Sequence, residues 1–211
     1  MPNNVTNLFK SPVNHAMSDT DQRYLSDAAF DSLYSLRAQQ LSAIHWTPIE
    51  IAKKAALHLT GGEGKNILDI GSGVGKFCLV AAHYFPAHTF HGVEQRKALV
   101  DEAIIAQIAS DTLNVNFLHA NFNEIDTEVY NHFYFYNSFS ENLFHYKPID
   151  NLVITSDEIY ESYLHEFYQL LDEKESGTRL ATYYCPDGYV PPDYKTLKHT
   201  SGDPLKLWIK Q

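Results

Sequence analysis

The chain is short of cysteine, of positive charge and of long apolar runs, and each shortage removes a class of protein. Cys78 and Cys185 are the only two cysteines in 211 residues, and both sit in apolar stretches. A disulfide framework is excluded, and the pair reads as buried free thiols in a reducing compartment. Lys and Arg number 16 against 26 Asp and Glu, for a net charge of −10. Lys10, Arg23, Arg37, Lys53, Lys54, Lys65, Lys76, Arg96 and Lys97 are dispersed and read as solvated helix faces. No polybasic tract is present, so no general nucleic-acid-binding surface is expected, since nonspecific affinity comes from neutralising phosphates. No segment approaches the roughly 18 apolar residues of a membrane span, and residues 1–17 carry no signal pattern. A soluble, cytoplasmic protein is expected. None of the 11 histidines pairs with another or with a cysteine at ligand spacing, so no metal site is expected. Hydrophobic content of 44% and aromatic content of 13% suit one folded domain with a full core.

What the chain has instead is a glycine turn between an apolar strand and a helix: Asn66-Ile67-Leu68-Asp69-Ile70-Gly71-Ser72-Gly73-Val74-Gly75-Lys76, answered by His91-Gly92-Val93-Glu94. Glycines let the backbone turn sharply and approach a ligand, and the following helix offers free N–H groups. An acidic residue ending the next strand suits a ribose diol, because a carboxylate can accept two hydroxyl hydrogen bonds. The ligand expected is a nucleoside derivative. Spacing narrows it. The dinucleotide fingerprint requires glycine where Lys76 stands. A phosphate-gripping P-loop requires Ser or Thr after Gly75-Lys76, where Phe77 stands, and glycine where Ile70 stands.

Two further strand ends carry polar residues: Asn121-Phe122 after the run 115–119, and Tyr136-Asn137-Ser138-Phe139 after the run 133–136. The four motifs in this order resemble the class I S-adenosylmethionine-dependent methyltransferases. The element Asn137-Ser138-Phe139 has Ser138 where amino-group methyltransferases carry proline. It is also similar, locally, to the Asn-Asn-Phe element of the non-SET histone-lysine methyltransferases. That likeness does not transfer a histone substrate.

The resemblance implies an α/β fold: a Rossmann-like, mostly parallel seven-stranded sheet flanked by helices, with an antiparallel C-terminal hairpin and a helical N-terminal extension. Strands are expected over 66–70, 89–93, 115–119, 132–136, 178–184, 194–199 and 205–210, and helices over 76–85, 96–110, 140–145 and 157–171. Residues 1–45 read as an N-terminal arm and helical cap, with Leu25, Ala28, Ala29, Leu33, Leu36, Leu41 and Ile44 as its apolar stripe. Residues 46–211 read as the cofactor-binding domain. Thr47 with Glu50, and Thr155 with Glu158, are expected to form capping boxes.

S-adenosylmethionine is the implied methyl donor. Its candidate binding residues are Thr47, Asp69, Gly71, Ser72, Gly73, Gly75, Glu94, Gln95, Asn121 and Phe122. Asp69 is read either as organising the glycine turn or as meeting the cofactor through water. Asn121 and Phe122 are read either as adenine contacts or as a turn cap and a core residue. Asn137 is the catalytic candidate, because methyl transfer from a sulfonium is a displacement that needs an aligned, unprotonated nucleophile. Its competing role is that of a strand-ending turn residue. The resemblance places Trp46 and Thr47 over the cofactor's amino-acid end, with core packing the competing role for Trp46, whereas Tyr24, Arg37, Tyr134 and Tyr136 are left without a role. The activity expected is N-methyl transfer to a protein, nucleic-acid or small-molecule acceptor; the alternative is a cofactor-binding protein without transfer chemistry that works through a partner.

Overall fold

Ile67, Leu68 and Ile70 make the run 66–70 a strand buried on both faces, as parallel sheets require, with Asp69 the one charged residue inside it. A computed structural model describes residues 22–143, 149–150, 153–197 and 202–211. In it β1 (Asn66–Ile70) is joined by β2 (Thr89–Glu94), β3 (Val115–His119), β4 (His132–Phe135), β5 (Arg179–Tyr183), β6 (Tyr194–Thr196) and β7 (Leu205–Lys210). The sheet order is β3-β2-β1-β4-β5-β7-β6. The first five strands are parallel, and β7 runs antiparallel to both β5 and β6. This is the Rossmann-like sheet and closing hairpin read from the sequence. Part of that hairpin's expected span, 198–201, lies outside the described residues. The segment between β5 and β6 keeps only one 3-10 turn, Asp187–Tyr189.

Seven α-helices are described: α1 (Asp27–Asp31), α2 (Leu36–Gln39), α3 (Ser42–His45), α4 (Ile49–Leu59), α5 (Lys76–Tyr84), α6 (Lys97–Ala109) and α7 (Asp157–Asp172). Helices α4, α5 and α6 share one apolar cluster with Tyr24, Phe30, Tyr34, Ala38 and Trp46 from the N-terminal segment. Helix α7 covers the other face of the sheet through Leu164, Phe167 and Leu171. No helix among the described residues is long and apolar enough to cross a membrane.

Four local expectations need correction. The N-terminal segment is broken into short helices, because Ser26 and Ser35 each accept a backbone N–H and start a new one. Its buried stripe is largely aromatic; Leu25 and Leu36, expected inside, are 64% and 80% exposed. Thr47 does not cap α4: Pro48 occupies that position, and the free Ile49 N–H donates to Asp27 Oδ1 at 3.0 Å. Ser156, one residue past Thr155, caps α7 by accepting from Ile159 N at 3.2 Å. The helix expected over 140–145 is a single 3-10 turn, Ser140–Asn142, in its described part. The arm over 1–21 lies outside the described residues.

Candidate active site

Strand order reverses at β1, with β2 on one side and β4 on the other, and such a switch point leaves a crevice beyond the strands' carboxyl ends. Ile70 is in register with both Val93 and Phe135, so the three ends are level. The glycine turn is tied down there by Gly71 N–H and Ser72 N–H, which both donate to Val93 O, at 2.9 and 3.0 Å. Ser138 Oγ donates to Ile70 O at 2.7 Å and sits directly against Gly71, whose φ is 71°. The ends of β1 and β4 are therefore interlocked.

A cavity of about 330 Å³ fills the crevice. It is lined by Thr47, Asp69, Gly71, Ser72, Gly73, Glu94, Gln95, Asn121, Phe122 and Asn137, so residues nominated from five separate stretches of chain meet around one space. Gly75 is the exception. It does not line the cavity; a Cβ there would lie 2.3 Å from the Phe117 ring, and its φ of 76° ends the turn. Its role is to let the start of α5 pack against β3.

Glu94 is 6% exposed, and its carboxylate accepts from Gly73 N at 3.1 Å and Arg96 N at 2.8 Å. These bonds orient the carboxylate, a group that accepts hydrogen bonds at both oxygens. Asp69 is 3% exposed, and the Cys78 thiol donates to its Oδ2 at 3.6 Å. Burial, reinforced by the Glu94 charge, pushes the Asp69 carboxyl up to about 8. Asn121 caps a 3-10 turn, Phe122–Glu124, by accepting from Phe122 N at 3.0 Å, and its amide also bonds the Tyr163 hydroxyl. Phe122 and Phe139 stack with centroids 5.0 Å apart, and Tyr163 closes the group edge-on to Phe122. These rings form a flat apolar wall beside a polar amide, which suits a purine. Asn137 has a φ of 37°, and its side-chain amide has no hydrogen-bond partner among the described residues.

On the N-terminal side, Thr47 Oγ1 and the Tyr134 hydroxyl are 2.9 Å apart in the buried wall. Lys76 is 3% exposed, not solvated as expected: its ammonium reaches Asp27 and Asp31 at 2.6 Å each and lies within 6 Å of the Phe30 and Trp46 rings. Arg96 is also buried and faces Asp150 Oδ2 at 3.4 Å. Both cations were misread because their partners lie far away in the chain. Sequence reasoning also missed Tyr163 and Tyr184 as lining residues; the position of Tyr184 directly after a strand was the one available signal for it. Tyr134 and Tyr136 line the cavity, whereas Tyr24 stacks on His83 at 3.7 Å away from it and Arg37 is exposed.

Residues 62–183 match the family model described as a methyltransferase domain. A search of curated proteins returns no match. Among solved structures, the chain is similar to an RNA methyltransferase from Salinibacter ruber in complex with S-adenosyl-L-homocysteine. Identity is 19%, coverage 78% of this chain and 92% of that one, and TM-score 0.56. It is also similar to TrmN from Thermus thermophilus, at 16% identity, 82% and 51% coverage and a TM-score of 0.54, so it spans about half of that chain. The protein belongs to the methyltransferase domain family and has the class I fold. It is an S-adenosylmethionine-dependent methyltransferase. The local likeness of Asn137-Ser138-Phe139 to the histone-lysine enzymes stays a resemblance of sequence.

Proposed function

We propose that this methyltransferase transfers the methyl group to nitrogen, with Asn137 aligning the acceptor. The observation that carries the reading is that the Asn137 side-chain amide, which has no hydrogen-bond partner among the described residues, lines the same cavity as Glu94 and the glycine turn. Bound S-adenosylmethionine supplies an electrophilic methyl carbon. Glu94 holds the ribose hydroxyls, Asn121 and Phe122 with Tyr163 and Phe139 hold the adenine, and Gly71 and Gly73 let the backbone lie close to the rest. Asp69, Ser72, Gln95 and Thr47 complete the binding wall. Asn137 Oδ1 accepts an acceptor N–H and thereby points the nitrogen lone pair along the line of displacement.

Calorimetric titration with S-adenosylmethionine and with S-adenosylhomocysteine tests the site. Glu94→Ala removes charge-assisted hydrogen bonds to ribose and is expected to weaken both ligands by about 100-fold. Asn137→Ala is expected to leave their affinities unchanged while methyl transfer slows by about 100-fold. Equal affinity in wild type and Glu94→Ala removes the ribose assignment, and unchanged turnover in Asn137→Ala removes the alignment role.

A further inference from the structure

Three tyrosine rings gather where β4 and β5 end. Tyr136 follows β4, Tyr183 closes β5 and Tyr184 comes next. The Tyr183 centroid lies 4.6 Å from each of the others, and Tyr136 and Tyr184 are 6.1 Å apart with planes 29° from parallel. Tyr136 and Tyr184 line the cavity, yet Tyr184 is 58% exposed, so this cluster stands where the cavity meets solvent. Its backbone φ is 53°, a conformation that a bulky side chain rarely adopts. The Tyr184 N–H donates to Pro204 O at 2.9 Å, which ties down the backbone at this point. Asn137, beside Tyr136, is the other non-glycine lining residue with positive φ. Strain of this kind concentrates where a ligand must be met.

The chemistry of this mouth is specific. Ring faces carry negative potential and attract an ammonium group, while their CH edges and faces pack alkyl chain. Among the described residues phosphate is poorly served: Lys76 and Arg96 already face Asp27, Asp31 and Asp150, and Lys206, on the strand next to β5, is bonded to Asp187. The ring that follows Asn137 in sequence, Phe139, stacks on Phe122 in the wall given above to the donor's adenine, so it is not left over for a nucleobase acceptor.

We infer that the acceptor is an aliphatic primary amine, drawn as its ammonium to the rings of Tyr136 and Tyr184 and presented to Asn137. The inference rests on the nitrogen-transfer reading above and names its substrate class. The ammonium releases one proton to solvent. The freed lone pair then forms the carbon–nitrogen bond as the methyl–sulfur bond breaks, giving a secondary ammonium and a neutral thioether.

The test offers the full chain labelled S-adenosylmethionine with three probes: free pentylamine, a lysine-containing peptide with blocked termini, and an oligoribonucleotide containing all four bases. Label on either amine is the expected result, and which amine takes it tells a free small molecule from a lysine side chain. Tyr184→Gly removes the ring at a backbone angle glycine prefers, so folding is preserved. It is expected to raise the amine KM about tenfold with donor affinity unchanged. Tyr184→Phe keeps the ring face and is expected to restore most of that loss. Label on the oligoribonucleotide alone, label on no probe, or an amine KM indifferent to Tyr184→Gly overturns the inference. Donor titration on the same sample separates the two readings: a folded protein that binds S-adenosylmethionine but methylates neither amine loses only the amine assignment. One that binds no donor loses both.

Discussion

The wall of the cavity built by the N-terminal segment and the wall built by the loops after β4 and β5 are opposites. In the first, polar groups are answered from within: Lys76 by Asp27 and Asp31, Thr47 by Tyr134, and the Ile49 N–H by Asp27. In the second, Asn137 and Tyr184 hold positive φ angles, the Asn137 amide has no partner among the described residues, and Tyr184 stands half in solvent. A wall that meets one invariant ligand gains from being fixed in advance, because no ordering is then required on binding. A wall that must admit, align and release an acceptor needs groups that are not already satisfied. Under the proposed function, the paired side suits the donor and the unpaired side the acceptor.

The largest effect is expected where the glycine turn after β1 is pinned to the loop after β4. Gly71→Ala places a Cβ 2.4 Å from that of Ser138, and Ser138 cannot withdraw without breaking its bond to Ile70 O. The positive φ of Gly71 adds strain of about 1–3 kcal/mol. Donor affinity is expected to fall by at least about 100-fold in calorimetry. Gly71→Ala combined with Ser138→Gly should recover part of the loss, because the collision partner is gone. If it recovers nothing, the interlock of β1 and β4 is not what shapes the glycine turn.

Next comes the ionic contact of the paired wall. Lys76→Met leaves Asp31, only 15% exposed at its side chain, facing Asp27 with no cation. Burial already raises the Asp31 carboxyl above its ordinary range. Asp27 is half exposed, so solvent absorbs part of the cost, and the expected loss is near the low end of about 3–5 kcal/mol. Urea unfolding measures it. The loss should shrink as the pH falls and the Asp31 carboxylate takes up a proton. A loss that is the same at every pH would mean that Lys76 contributes packing rather than charge.

These two sites also mark how far the sequence could be read. The sheet was legible because local signals agreed: apolar runs of strand length, glycines after the first, an acid ending the second, and polar residues ending the third and fourth. Position along a strand then placed most of the site, since strand ends on one side of a parallel sheet must converge. The contact between Ser138 and Gly71 and the burial of Lys76 were not legible, because they join residues 67 and 45 to 49 positions apart with no periodicity linking them. The aromatic stripe Phe30, Tyr34, Ala38 was legible in spacing but was passed over in favour of leucines, two of which are exposed. The capping errors at Thr47 and Thr155 have one cause. Threonine was preferred on the strength of its box partner, while Asp27 in one case and the adjacent Ser156 in the other were better placed.

A gentler probe of the donor side is pH. Asp69 rises from 3.8 to about 8, so the folded, empty protein holds a proton that the unfolded chain releases, and this group makes stability fall as pH rises from about 4 through 8. S-adenosylmethionine carries a sulfonium charge that favours the carboxylate. Binding should therefore expel the proton, and affinity should climb with pH to a plateau above about 8, by at most tenfold per unit. S-adenosylhomocysteine lacks the sulfonium and should show the shallower slope. Asp69→Asn should flatten both curves, measured by titration at several pH values. Equal slopes for the two ligands would place the sulfonium away from Asp69.

The smallest effect tests whether the paired wall is held by its pairs or merely filled by them. Thr47→Val removes a hydroxyl and leaves the Tyr134 hydroxyl buried without its 2.9 Å partner, at a cost of about 1–2 kcal/mol. Tyr134→Phe keeps the ring stacked on Phe77 at 3.8 Å and strands the Thr47 hydroxyl instead. The double substitution leaves neither group unsatisfied, so its stability should lie closer to wild type than the sum of the single losses. Thermal melts of the four proteins give this coupling directly. Donor affinity should shift only a few-fold throughout, because the hydrogen bond shapes the wall and the proposed ribose contact at Glu94 is untouched. Additive losses would mean that each hydroxyl is satisfied elsewhere and that the wall owes its order to packing alone.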